Sequence, residues 1–296
     1  MRARVVLLAA LLLALAGCAA PGPDRTGVVV TTNILGDVTH NVVGDQAGVT
    51  VLMEPGADPH SFGISAQQAA QLERAGLVVH NGLGLEEGVR HHVGAAAAAG
   101  AATFAAGEAA DPIAFAPGTP DPHFWTDPRR VRGVVDRIAE QVIAHVEGVD
   151  PAVVRANAAR YGDEIDRLDA ELAARFGAIP PQRRKLVTNH HVFGYLAQRY
   201  GFEVVGAVIP SGTTLASPSA SDVASLAATV RAAGVPTIFA DSSHPDRLAQ
   251  VLADQAGVRV AVVPLHSESL SREGAGAATY LQMMRSNADA IARSLS

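Results

Sequence analysis

Short β-branched runs alternate with helical patterns along most of the chain, the signature of βαβ units and parallel sheets. Val28 to Thr32, Val49 to Met53 and Leu77 to His80 read as strands, and Ser65 with Gln68 forms a capping box that opens a helix running to about Ala75. Residues 94–110 are low in complexity and predict an alanine-rich helix followed by a short strand and a loop. Asp127-Pro128 and Asp150-Pro151 each place an N-cap acceptor before a proline at the first helical position. The second pair opens a long helix. Val154, Ala158, Tyr161, Ile165, Leu168, Leu172 and Phe176 make one apolar stripe along it, charges fill its other faces, and Pro180-Pro181 stops it. The alternation then restarts. Lys185 to Thr188, Val204 to Ile209, Pro236 to Ala240 and Arg259 to Val263 read as strands, with helices over 193–200, 220–233, 245–256 and 277–295. Ser219 and Asp222 cap the second of these helices. The expectation is an α/β protein of two lobes, each with a mainly parallel sheet flanked by helices, joined by one long helix. By number, the N-terminal lobe is 27–149, the linker helix 150–178 and the C-terminal lobe 179–296. Such a layout puts a ligand in the cleft between lobes, at the carboxyl ends of parallel strands.

The first 26 residues follow a different rule. Arg2 and Arg4 precede an unbroken apolar run from Val5 to Leu15, which is shorter than the ~20 residues a permanent membrane span needs. The run ends at Leu15-Ala16-Gly17-Cys18, and Cys18 is the only cysteine in 296 residues. Residues 1–17 thus read as an export signal that resembles the bacterial lipoprotein signal. That resemblance implies lipidation at Cys18, anchoring to a membrane outside the cytoplasm, and a short tether over 18–26. Each buried lipid CH₂ contributes about 0.8 kcal/mol, so a diacyl thioether holds where one chain would not. The lone cysteine excludes an internal disulfide and any Cys-rich zinc or iron–sulfur site. The net charge of −6, which becomes −8 once Arg2 and Arg4 are removed, excludes a broad electrostatic footprint for nucleic acid.

Enzyme signatures are missing: no G-x-S-x-G elbow, Walker loop, H-E-x-x-H or C-x-x-C is present. Histidine in turns stands out instead. Asp58-Pro59-His60 and Asp121-Pro122-His123 are the same tripeptide in two places. Proline fixes its own φ and pushes the residue before it toward extended geometry, so each histidine leaves a stiff turn in a restricted direction. That stiffness suits a metal ligand. Two further clusters lie at strand ends in the second lobe: Asn189-His190-His191, of which one ring is expected to be solvated, and His266-Ser267-Glu268. One site drawing two ligands from each lobe follows. His40 and His145 on helices, His91 and His92 on an exposed turn, and His244 at a helix start read as ordinary surface histidines, and His80 as a core histidine at a strand end.

ADPHSF at 57–62, HNGLGLE at 80–86, DPHFWTDP at 121–128, NHHVFGYLAQRYG at 189–201, IFADSS at 238–243, LHSESL at 265–270 and TYLQMMRSNADAIARSL at 279–295 carry a further resemblance. Over essentially the whole mature chain, the sequence resembles the metal-binding solute-binding lipoproteins of ABC importers for zinc and manganese, the cluster A-I or zinc-uptake-protein-A-like family. The resemblance implies that the linker helix is rigid, that His60 and His123 are ligands, and that His190, three residues before Phe193, is the third. The fourth position usually holds Asp; here it is Glu268, one methylene longer. Asp241 matches a part of the pattern that is not a ligand. No His-rich acidic insertion precedes DPHFW.

Three imidazoles and one carboxylate lean toward Zn²⁺ over Mn²⁺, which favours oxygen-rich sites. The function implied is an extracytoplasmic receptor, not an enzyme, that captures zinc and delivers it to an ABC permease and its ATPase, acting as a monomer without nucleic acid. The alternatives are manganese or iron as cargo, or a haem or siderophore receptor, which should offer an aromatic-rich cleft that 4% aromatic residues hardly supply.

Overall fold

A computed structural model describes residues 27–257 and 260–296, so the export-signal reading over 1–17, lipidation at Cys18 and the tether over 18–26 lie outside the described residues. The first sheet is parallel and holds β1 (Val28–Val30), β2 (Val49–Val51), β3 (Leu77–His80) and β4 (Ala102–Ala105) in the order β2-β1-β3-β4. Helices α1 (Asn33–Val43), α2 (Ala66–Arg74), α3 (Glu87–Ala98) and α4 (Pro128–His145) flank it. A small antiparallel hairpin, β5 (Ala114–Ala116) with β6 (Thr119–Pro120), leads into the second Asp-Pro-His turn. The linker helix α5 (Pro151–Gly177) follows. Beyond it lie β7 (Lys185–Thr188), α6 (Gly194–Tyr200), β8 (Glu203–Ala207), α7 (Ala220–Ala233), β9 (Thr237–Asp241), α8 (Arg247–Ala256), β10 (Ala261–Leu265) and α9 (Tyr280–Leu295). The second sheet, β10-β9-β7-β8, is also parallel and repeats the topology of the first, with its first strand inside the sheet and its second at an edge.

Because side chains alternate across a strand, each sheet feeds two cores. Val28, Val30, Leu77, Val79, Leu186 and Phe239 point to a central core shared with α1, α4, α5, α6 and α9. Val29 and Val78 point outward to α2 and α3, and Val187 and Ile238 outward to α7 and α8. The central core runs without interruption from one lobe into the other. All seven residues of the α5 stripe are buried in it. The Asp127 and Asp150 side chains cap α4 and α5 as the sequence suggests, and Ser65 and Ser219 close capping boxes.

Two expectations need correction. His91 and His92 sit inside α3, which starts at Glu87, because the helix opens before the alanine run and not within it. The last strand spans 261–265 rather than 259–263, since its register is set by pairing with β9. The hairpin was not foreseen. On a charged face of α5, Asp169 is buried, accepting hydrogen bonds from Arg129 of α4 and from Arg199 and Tyr200 of α6. It thereby ties the linker helix to both lobes through charge-assisted bonds, the stronger kind. Among the described residues, no helix is long and apolar enough to cross a membrane.

Candidate metal centre

Both Asp-Pro-His turns form the same local structure. Asp58 Oδ1 accepts the His60 backbone N–H at 3.0 Å, and Asp121 Oδ1 accepts that of His123 at 3.0 Å. The aspartate so placed is an Asx turn, and the intervening proline has no N–H to compete for the carboxylate. His190 follows the end of β7, where the Thr188 hydroxyl donates to its carbonyl. Glu268 follows β10 on a loop shaped by Asp241, whose Oδ2 accepts the backbone N–H groups of Ser267 and Glu268 at 3.2 and 3.1 Å. Asp241 is thus scaffold for the loop that carries Glu268.

The structure brings His60, His123, His190 and Glu268 into one group, with one donor atom from each lying within 4.8 Å of the others. All four are at most 1% exposed. Nε2 of His60 and Nε2 of His123 are 3.4 Å apart, and Glu268 lies 3.8 Å from His60, 3.5 Å from His123 and 2.9 Å from His190. Asp121 Oδ1 also accepts His123 Nδ1–H at 2.7 Å, which fixes the tautomer and leaves Nε2 with a free lone pair. Both Glu268 oxygens, both His190 ring nitrogens and His60 Nδ1 are buried without a hydrogen-bond partner. Clustered buried orphans are costly, and a cation at the centre of the group would satisfy the Glu268 oxygens and His190 Nε2.

The electrostatics agree. Burial holds His123 well below its ordinary pKa, and burial followed by the neighbouring histidine charges lowers His60 to about 3. Burial also lowers His190, to about 4, and pushes Glu268 well above the usual carboxylate range. The imidazoles are therefore neutral at physiological pH, the form in which they donate to a metal.

His191 departs from expectation. Its ring is only partly exposed: it packs on Phe115 with ring centroids 4.7 Å apart, and its Nε2 lies 3.7 Å from Asp121 Oδ2. Gly194 permits this arrangement, because a Cβ there would come within 2.6 Å of Asp121 Oδ2. His80 is half-buried and lines a separate cavity with Glu86 and Arg90. His244 was read as an ordinary surface histidine, yet its Nε2 forms an ion pair with Asp58 Oδ2 at 3.2 Å. Nothing in the sequence marks that pairing, since the two residues lie in different lobes.

A family described as "Zinc-uptake complex component A periplasmic" matches residues 28–294. The iron-binding protein YfeA of Yersinia pestis is 29% identical over 95% of this chain and 91% of its own. The manganese ABC transporter substrate-binding lipoprotein PsaA of Streptococcus anginosus is 28% identical over 96% of this chain and 95% of its own. The zinc-binding protein TroA of Treponema pallidum is 30% identical over 90% of this chain and 88% of its own. Its solved structure superposes with a TM-score of 0.85, covering 92% of this chain and 99% of that one. With its two parallel sheets, its long helix and a match across nearly the whole described length, the chain belongs to the zinc-uptake complex component A family.

Proposed function

We propose that this protein is the extracytoplasmic metal receptor of an ABC importer and that zinc is its cargo, held by His60, His123, His190 and Glu268. The carrying observation is the spacing of the donors. A tetrahedral ion with arms of about 2.0–2.1 Å has donor–donor edges of about 3.3 Å. Four of the six pairings among these side chains run from 2.9 to 3.8 Å and scatter about that length, and all the donors lie within 4.8 Å of one another. Three neutral imidazoles and one carboxylate also leave a divalent ion only one net positive charge to bury. Four protein donors fill the shell, whereas a catalytic zinc keeps a position open for water. That supports a receptor over a hydrolase. The relatives' names cover iron, manganese and zinc, so the preference for zinc rests on the donor chemistry.

A second reading has one observation in its favour. Both oxygens of Glu268 are unpartnered, and two-point coordination would raise the coordination number toward what manganese prefers. In either case the protein is held to the membrane through Cys18, acts as a monomer, and passes the ion to a permease with its ATPase. The test is calorimetric titration of chelator-stripped full chain with zinc and manganese separately. One tight zinc equivalent, with manganese at least about a thousandfold weaker, supports zinc; equal tight binding favours manganese transport, settled by uptake in cells. No saturable binding of either ion overturns the assignment.

A further inference from the structure

The four donor residues are so deeply buried that an ion cannot reach them or leave them unless part of the interface between the lobes opens. The parts of that interface are unequal. On the linker-helix side, the lobes share the central apolar core. Buried hydrogen bonds reinforce it: Asn33 to the Ser269 hydroxyl at 2.8 Å, the Leu270 N–H to Asn33 at 2.9 Å, Trp125 Nε1–H to the Ser267 carbonyl at 2.8 Å, and the Tyr280 hydroxyl to the Trp125 carbonyl at 2.9 Å.

At the His60 rim, one carboxylate makes the side-chain connection, beyond the Gly56 N–H that donates to the Leu270 carbonyl and the Ser269 hydroxyl at 3.0 Å. Asp58 Oδ2 accepts the Thr214 hydroxyl at 2.7 Å and pairs with His244 at 3.2 Å, both across the cleft, while the Ser61 hydroxyl donates to it at 2.7 Å from its own lobe. Thr214 and His244 are part-exposed and lie on two separate loops. Both line an open cavity of about 320 Å³, together with Pro218 and Leu248. Those loops can therefore shift without displacing a packed core, which makes this the low-stability part of the interface. The other Asp58 oxygen holds the His60 backbone, so movement of the clasp is transmitted to a metal donor.

We infer that the ion is exchanged at this rim and that Asp58, Thr214 and His244 form the gate, with the linker-helix side serving as the fixed edge. This rests on the metal-receptor reading. Thr214 and His244 are positioning residues: they set how often the cleft opens and do not bind the ion.

The test measures zinc release from the full chain into excess chelator, and zinc association, by stopped flow. Zinc is the probe under either choice of cargo, because such a site holds it more tightly than manganese. Thr214→Val removes one hydrogen bond to a charged acceptor and is expected to speed release about tenfold, equivalent to ~1.4 kcal/mol. Thr214→Val with His244→Gln speeds it further, and Thr214→Ser restores the wild-type rate. Association accelerates in parallel, so the dissociation constant moves less than the release rate, which a merely structural defect would not produce. Tyr280→Phe, on the fixed edge, leaves release within about twofold of wild type. Unchanged release in Thr214→Val and the double variant overturns the gate, as does equal acceleration by Tyr280→Phe. If the double variant fails to fold by circular dichroism, the single variants decide. Absence of zinc binding by the wild-type chain overturns the receptor reading itself, an outcome separate from an ungated but metal-binding protein.

Discussion

The turns at 58–60 and 121–123 share a tripeptide, an Asx hydrogen bond of the same 3.0 Å length and a buried histidine, yet their aspartates do different work. Asp121 turns inward. It fixes the His123 ring through Nδ1, and burial pushes its carboxyl up to about 6. Asp58 turns outward. Burial would raise it too, but hydrogen bonds from His244, Ser61, Thr214 and the His60 backbone outweigh burial and hold it below the usual range. His60 Nδ1 has no such partner. Local sequence thus sets the backbone of the turn, and the tertiary surroundings set what the second carboxylate oxygen does. One turn orients a histidine ring; the other joins two lobes.

The largest effects should not distinguish the turns. His60→Ala and His123→Ala each remove one of four donors, and with binding energies of about 10–16 kcal/mol spread over such a set, affinity should fall on the order of a hundred- to a thousandfold in both. Calorimetry checks this. Retention of wild-type affinity by either variant would remove that histidine from the site. The aspartates should then separate. Asp121→Asn keeps an acceptor for the His123 backbone but weakens the partner of Nδ1, and should lower zinc affinity about 10–100-fold. Asp58→Asn should lower affinity less and lower stability more, because it removes a carboxylate whose ionised form the fold favours. Equal losses of affinity in the two variants would mean that the turns are functionally alike.

Acid sharpens the contrast. Each site histidine has a folded pKa below its unfolded value of about 6.5, so the unfolded chain takes up more protons as pH falls. Their contribution to stability is whole above about 6.5 and is lost as pH falls toward 3–4. Glu268 and Asp121, raised by burial, act in the opposite sense and lose stability as pH rises through their folded values. Within the site, three groups against two leave stability falling as pH drops from about 6 to 4.5. Urea unfolding of chelator-stripped protein across that range measures it. A flat profile would mean that the histidines are already charged or exposed.

Much of this arrangement could be read from the sequence, for physical reasons. Parallel strands buried on both faces are near-continuous apolar runs, and the α5 stripe repeats long enough to be unambiguous. The tripeptides and the strand-end clusters pointed to the four residues that the structure brings together. Choosing His190 over His191, and Glu268 over His266, took the family resemblance, because close neighbours differ only in which way the strand end turns. The hairpin was illegible since its strands, Ala-Phe-Ala and Thr-Pro, contain no β-branched run like the valines of β1 and β2. No local pattern marks the burial of Asp169, because its partners lie on other helices, 30 to 40 positions away. Thr214 is 156 positions from Asp58, so no local pattern announces the contact.

The smallest predicted effect isolates what the two turns have in common. Pro59 and Pro122 each precede a histidine, and neither prolyl nitrogen has an N–H that could compete for the aspartate. Replacing either with Ala should cost about 0.4–1 kcal/mol, chiefly because the unfolded chain gains freedom. The same freedom must be removed when the histidine presents its ring, so zinc affinity should fall a few-fold at most. Since the backbone geometry of the turns matches, Pro59→Ala and Pro122→Ala should shift the thermal midpoint alike, in contrast to the aspartate variants. A much larger loss at Pro59 would show that the turn on the gated rim depends on proline stiffness, where its counterpart, enclosed by Gly194, His191 and the shared core, is held in place by its surroundings.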